Sequence, residues 1–321
     1  MSMRNNSFWS SLLDPPLSFG VAIWHYFQSS EGIVILATVI LASTFNITFI
    51  VVTLRSQKLN NIRSCLTVAL SCCNIATAMG YCTIGILSSY QGVNFSFARG
   101  IFFFISADVW QTLVMLAVAV ERFIAVVYPF RYPIWITKNR LISVILASFV
   151  VSVLCGSTVF MIPSVTILDA AMNAMAQNRT ITYNDLQTKE GNICSQLWSV
   201  SHIALGFLIM GLYIPILVSI EQQQSKIQAS DQTSIKKNHK GTVVLCVVIL
   251  YYFTCYTPQL VANTLPQVLD QPMESSANGS LGDFINFLGI LVCTPTFVNP
   301  FLYGMLNQSF RKELFGYCTC L

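Results

Sequence analysis

Charge is scarce in this chain. Only 9% of its 321 residues are Asp, Glu, Lys or Arg, against 54% hydrophobic; a soluble domain carries roughly 25% charged residues. So few charges cannot cover a water-facing surface. An ordinary soluble enzyme is thereby excluded, and lipid is left as the alternative solvent. A secretory leader is also missing. Residues 1–30 hold one basic residue, Arg4, with Asp14, Pro15 and Pro16, and show no charged start followed by an apolar run. The first span is therefore expected to act as its own insertion signal. The eleven cysteines form no CxxC pair of the zinc type. Cys65, Cys72, Cys73, Cys82, Cys155, Cys246, Cys255 and Cys293 lie in apolar runs and read as small buried hydrophobes rather than a disulfide framework. HExxH and GxSxG are absent. No metal, cofactor or catalytic residue is expected.

What the chain does have is long uncharged stretches. They cover residues 32–54, 64–98, 141–168, 191–220, 241–269 and 284–310; a seventh, 100–120, is interrupted only by Asp108. About 20 mostly apolar residues cross a bilayer. The expectation is an all-α membrane protein, a seven-transmembrane helix bundle, with spans near 31–56, 62–89, 97–128, 138–162, 195–222, 236–266 and 281–305. A short amphipathic stretch, 307–316, follows. The chain then divides into an extracellular N-terminus (1–30), one membrane domain (31–305) and a cytoplasmic helix and tail (306–321). The longest loop, about 163–194, lies outside.

Charge also orients the bundle. Lys and Arg concentrate on the cytoplasmic side of membrane proteins. With the N-terminus outside, only Arg4, Arg99, Arg179 and Lys189 of the 17 basic residues are external. The net charge of +4 is thus a topology signal and predicts no nucleic-acid partner. The sequons at Asn5, Asn94, Asn178 and Asn278 fall on the outer side and are candidate glycosylation sites. Cys318 and Cys320 follow the amphipathic stretch at the inner surface and are candidates for palmitoylation, with free thiols in a frayed terminus as the alternative.

Several seven-helix classes fail on chemistry. A retinal protein needs a lysine in its last span, and 284–310 has none. An intramembrane aspartyl protease needs two facing acids, and Asp108 is alone. The paired, similar halves common in transporters are not seen. The positive signals sit at particular places. The third span ends in Glu121-Arg122, an ion pair at the membrane boundary, and the seventh contains Asn299-Pro300-Phe-Leu-Tyr303. The sixth reads Phe253-Thr-Cys-Tyr256-Thr-Pro258, and the first carries Asn46. Pro258 and Pro300 each remove a backbone hydrogen bond and create a hinge. This set, in this order, resembles the rhodopsin-like family of G protein-coupled receptors over essentially the whole chain.

The resemblance implies roles. Arg122 would swing to meet a heterotrimeric G protein, with Tyr213 and Tyr303 as its active-state partners, and Tyr256 would be the rotamer switch below the ligand. Glu121, Pro258, Asn299 and Pro300 complete that set, and Asn46 and Asn74 form a polar packing core. Phe104, Asp108, Gln111, His202, Tyr256 and Gln259 are the candidate contacts of a small-molecule ligand. Arrestin and the lipid bilayer are further implied partners. Asp108 either lines the pocket floor and pairs with the ligand, or bonds Tyr256 or His202 and tunes the switch. Departures from the family pattern are informative. Asn74 stands where an acid usually binds sodium, which argues against sodium modulation. Phe97 replaces a customary cysteine, so Cys194 lacks its usual partner and Cys82 is the candidate substitute. The fourth span lacks its usual tryptophan. The base of the sixth, Ile235 to Lys240, has no acid to hold Arg122. Residues 116–137 look like the corresponding run of vertebrate, fish-type odorant receptors, so an odorant or other chemosensory ligand is expected. The alternative is a receptor for an amine or a peptide.

Overall fold

The computed structural model describes residues 26–56, 62–89, 95–176, 189–226, 246–262, 280–306 and 308–318; within these, some side chains, those of Tyr303 and Cys318 included, are not described. Among the described residues every element is an α-helix. In chain order they are α1 (Ser30–Arg55), α2 (Ile62–Ser89), α3 (Phe95–Val127), the short α4 (Tyr132–Trp135), α5 (Lys138–Ala176) and α6 (Lys189–Lys226). Then follow α7 (Cys246–Ala262), α8 (Ser280–Cys293), α9 (Pro295–Leu306) and α10 (Gln308–Cys318). Five of them are long and apolar enough to cross a membrane, and α7 and the α8–α9 pair supply two shorter apolar segments.

Helix is the form these runs must take. Hydrocarbon offers backbone N–H and C=O groups no partner, so each span has to satisfy its own. Ser29 starts α1 by accepting from the Gly32 N–H at 3.0 Å, the usual service of an N-cap serine. The lipid-facing side is readable in register. Ile33, Ile40, Ile47 and Leu54 on α1, and Val200, Phe207 and Ile214 on α6, are exposed at seven-residue spacing.

α3 is the central helix and packs against α2, α5 and α6. Val114, Met115, Val118 and Ala119 in its middle are essentially fully buried. It lies close to α5 because Gly156 has no side chain; a Cβ there would collide with Ser106 Oγ.

Three expected boundaries shift. α5 does not stop at residue 162 before Pro163 but continues to Ala176. Its last turns, Ala170-Ala-Met-Asn-Ala-Met-Ala176, are made of strong helix formers. With α6 beginning at Lys189, the outer connection is helical at both ends rather than one loop over 163–194. The seventh span is not one helix: it breaks at Thr294, because Pro295 has no N–H to give the Leu291 carbonyl. Thr294 takes that carbonyl instead, through its N–H at 3.1 Å and its hydroxyl at 2.7 Å. The Tyr251 hydroxyl on α7, 2.7 Å from Thr294 Oγ1, ties the break to its neighbour.

Pro300 does the same inside α9: it frees the Thr296 carbonyl. Asn46 Nδ2 on α1 donates to that carbonyl at 2.8 Å and to Ala42 O at 2.7 Å. Removing the amide leaves a buried acceptor unserved. Asn46→Ala is expected to cost about 1–3 kcal/mol, read as a lower unfolding temperature of the purified protein in lipid nanodiscs. An unchanged transition would show that water serves Thr296 equally well.

Candidate functional site

Two polar clusters sit on α3 within one helical turn. The first centres on Asp108, which is fully buried. Tyr256 on α7 donates to its Oδ1. His202 Nε2 on α6 lies 2.9 Å from its Oδ2, which receives no aligned hydrogen bond from His202 or from any other group among the described residues. The same ring nitrogen is 3.1 Å from Thr112 Oγ1, while Nδ1 is 3.3 Å from the Trp198 carbonyl. Thr112 donates back to the Asp108 carbonyl at 3.1 Å, and the Tyr252 hydroxyl lies 3.3 Å from Thr112 Oγ1. Tyr81 on α2 donates to the Tyr256 hydroxyl at 3.3 Å.

His202 Nε2 and Asp108 Oδ2 stand within ion-pair distance, without an aligned hydrogen bond between them. A lone Asp near a helix centre costs about 2.5–3.5 kcal/mol on insertion scales; the His202 ring and the Tyr256 hydroxyl are the groups placed to offset that cost.

The second cluster faces α2. Gln111 Nε2 donates to Asn74 Oδ1 at 3.0 Å, and Asn74 Nδ2 donates to Asn46 Oδ1 at 3.2 Å. From Asn46 the chain continues to Thr296. The structure therefore brings Asp108, His202 and Tyr256 together but sends Gln111 elsewhere, although sequence spacing puts Gln111 on the face of Phe104 and Asp108. Three residues along a helix is a rotation of about 60° short of a full turn, enough to select a different neighbour. Phe104 is partly exposed, with its ring edge-on to Tyr81 at 4.7 Å. Gln259, three residues beyond Tyr256, is partly exposed. Asn299 is fully buried, and neither side-chain amide atom has a hydrogen-bond partner among the described residues.

At the far end of α3, Arg122 Nε lies 3.1 Å from Glu121 Oε2. The N–H is not aligned on that oxygen, so this is an ion pair rather than a hydrogen bond. The aligned bond to Glu121 comes from α4: the Tyr132 hydroxyl donates to Oε1 at 2.7 Å. Sequence reading missed Tyr132, because the motif it serves lies eleven positions away across a turn. α4 is fastened at both ends. Arg140 Nη1 donates to the Ile134 and Trp135 carbonyls at 3.0 and 3.1 Å, and the Arg131 guanidinium stands 5.3 Å over the Trp135 ring.

Tyr213 is buried in the core on α6, and Pro258 lies inside α7. Cys82 is a free thiol. Asn5, Asn94, Asn178, Asn278, Cys320 and the basic segment 235–240 lie outside the described residues, as do the side chains of Phe97, Cys194, Tyr303 and Cys318.

Tyr132→Phe removes one hydrogen bond to a charged carboxylate and keeps the ring. About 1.5–3 kcal/mol of local stability is at stake. Amide hydrogen exchange in residues 132–136 should accelerate at least tenfold while α1 and α2 stay unchanged. Equal exchange in the two proteins would remove Tyr132 from this role.

Residues 45–303 match the 7 transmembrane receptor (rhodopsin family). The chain is 22% identical to a cholecystokinin receptor of Xenopus laevis, an alignment covering 90% of this chain and 77% of that one. It is 20% identical to a type-1 angiotensin II receptor A of the same species, over 87% and 77%. Against the growth hormone secretagogue receptor type 1 of Sus scrofa it is 24% identical over 63% of this chain, and spans about half of that receptor's length, 56%. These relatives are receptors rather than enzymes, and none of them is an odorant receptor. By the family match over most of its length, the chain belongs to the rhodopsin family of seven-transmembrane receptors.

Proposed function

We propose that the chain is a plasma-membrane receptor for a peptide that activates a heterotrimeric G protein. In this reading residues 1–30 are extracellular, 31–305 form the receptor domain, and 306–321 lie in the cytosol with Cys318 and Cys320 as lipidation sites. The observation that carries the signalling half is the closed Glu121–Arg122–Tyr132 arrangement. It holds a guanidinium sideways at the basic, inner end of the bundle, where a partner can compete for it. The ligand half is supported by likeness to receptors named for cholecystokinin, angiotensin II and a QRFP-like peptide. This puts the peptide alternative above the odorant reading of residues 116–137.

The mechanism is a population shift. A ligand between α3, α6, α7 and the α8–α9 pair favours a state in which the inner end of α7 moves outward, and it can do so only by its differential affinity for the two states. Asp108 acts inside this mechanism as a tie between α3, α6 and α7. Its complete burial and its two internal partners support the switch role over direct ligand contact. Arrestin would use the same inner face as the G protein.

A panel of peptides and a panel of volatiles, read by cAMP and Gα dissociation in transfected cells, separates the ligand classes. Response to volatiles alone would return the chain to the chemosensory reading. With the agonist so found, Arg122→Ala should abolish signalling while surface expression and binding persist; full signalling by that variant sinks the mechanism. Glu121→Gln should raise basal signalling. Asp108→Asn should alter basal signalling and leave agonist affinity within about threefold, since less than 1 kcal/mol of contact is lost. A tenfold or greater loss of affinity would restore Asp108 as a ligand contact.

A further inference from the structure

Gly206 and Gly211 lie five residues apart on α6 and have opposite surroundings. Gly211 is exposed and Gly206 is buried. A Cβ built at Gly211 meets nothing within 4 Å among the described residues. One built at Gly206 would stand 2.5 Å from Cε1 and 2.7 Å from Cδ1 of Phe253 on α7. Carbon atoms in contact keep about 3.5–4.0 Å apart. The Phe253 ring therefore fills the space that any side chain at position 206 would take.

This contact lies one helical turn from the Asp108 cluster, toward the Glu121 end of the bundle. Gly206 follows His202 by four residues on α6, and Phe253 precedes Tyr256 by three on α7. The His202 and Tyr256 rings stack with centroids 6.0 Å apart, so α6 and α7 touch at two successive levels. Phe253 is buried in the core and meets the Tyr252 ring edge-on at 5.2 Å. A ring packed to this density yields only if its neighbours move. A methyl group at position 206 would need about 1 Å more clearance, and the gap between α6 and α7 has to supply it. The ties of α7 have little slack for such a shift. The Tyr252 hydroxyl is 3.3 Å from Thr112 Oγ1, and the Tyr81 and Tyr256 hydroxyls are 3.3 Å apart, already long for hydrogen bonds between hydroxyl groups. Cys246, seven residues from Phe253 and about 10 Å farther along α7, is buried; a displaced α7 would uncover it.

We propose that Gly206 is a positioning residue for the change of state: the notch it leaves on α6 seats the Phe253 ring, sets the spacing of α6 and α7, and so holds α7 in its resting place. The inference rests on the receptor reading above and names the contact that keeps the unliganded chain inactive.

The test uses the purified chain in nanodiscs, without ligand or G protein. N-ethylmaleimide is added, and the rate of labelling at Cys246 is followed by peptide-resolved mass spectrometry. Gly206→Ala should raise that rate at least about threefold, through a larger population with α7 displaced. Gly211→Ala makes the same chemical change with the same gain in helix propensity, in open surroundings, and should leave the rate unchanged. Phe253→Leu trims the ring and should return the Gly206→Ala chain to the original rate. If Gly206→Ala does not fold, Phe253→Trp overfills the same notch from the other helix and should give the same rise. The proposal is overturned if the overfilled chain labels no faster than the unsubstituted one, if Gly211→Ala speeds labelling equally, or if Phe253→Leu does not reverse the effect of Gly206→Ala. Labelling needs no G protein, so the two readings separate. A chain that signals to peptides but labels alike in all variants loses this proposal and keeps the proposed function. A chain that labels as expected but activates no G protein keeps this contact and loses the receptor reading.

Discussion

Pro300 leaves the Thr296 carbonyl without an intrahelical donor, and in hydrocarbon no water is at hand to serve it. The Asn46 amide serves it from another helix, and the consequences run across the bundle. Asn46 has an oxygen to spare, which Asn74 satisfies; Asn74 has an oxygen to spare, which Gln111 satisfies. One missing N–H in α9 is thus answered through α1 and α2 by a side chain on α3. Links of this kind do not add independently, because each member's second group depends on the next being in place. The outer faces of α1 and α6, by contrast, are apolar side chains meeting apolar lipid. Such contacts hold helices in the membrane without choosing their neighbours. Selection of neighbours falls to the polar chain and to close approaches such as Gly156 against Ser106.

Much of this was legible in the sequence, for a physical reason. Scarcity of charge is a requirement of the lipid phase, so the spans and the seven-helix class appear as gaps between charges. The ends were less legible. Pro163 reads as a stop in water-soluble helices, yet α5 continues through it to Ala176, since the following residues favour helix strongly. Pro295 lies inside the uncharged run 284–310, which by itself predicts one span. Its effect, a break at Thr294, depends on what serves the freed Leu291 carbonyl: Thr294 does so with its own N–H and hydroxyl, and Tyr251 holds that hydroxyl from a different helix. At the site, Asp108 stands out as a lone acid in a span, and it is the resemblance to the receptor family, not spacing along α3, that puts Tyr256 opposite it and His202 near. Gln111 was on the right face for Asp108 but turned to Asn74. The choice of partner depends on what α2 presents, which periodicity along α3 does not encode. Tyr132 carried no signal, because a loop tyrosine becomes meaningful only once α4 folds back under Glu121.

The two clusters give α3 its place in any change of state. Asp108 and Thr112 engage α6 and α7; Gln111, between them in sequence, engages α2. Rotating α3 to improve one set of bonds strains the other, so α3 is held from two sides. α7 is differently held. Tyr252 and Tyr256 attach it to α3 through hydroxyl groups at one level, and Pro258 weakens its own backbone just beyond. A helix pinned at one level and hinged beside the pin can tilt about that level at small cost.

Glu121 lies thirteen residues below Asp108, about 20 Å along the same rigid helix. A movement of α3 therefore cannot leave one site without reaching the other. At the lower end the Glu121 carboxylate meets the Arg122 guanidinium through charge and the Tyr132 hydroxyl through an aligned hydrogen bond. If Arg122 departs, the carboxylate keeps Tyr132 and α4 stays fastened. If Tyr132 departs, the ion pair is left with poor alignment and greater access to water, where such a pair contributes at most about 1 kcal/mol.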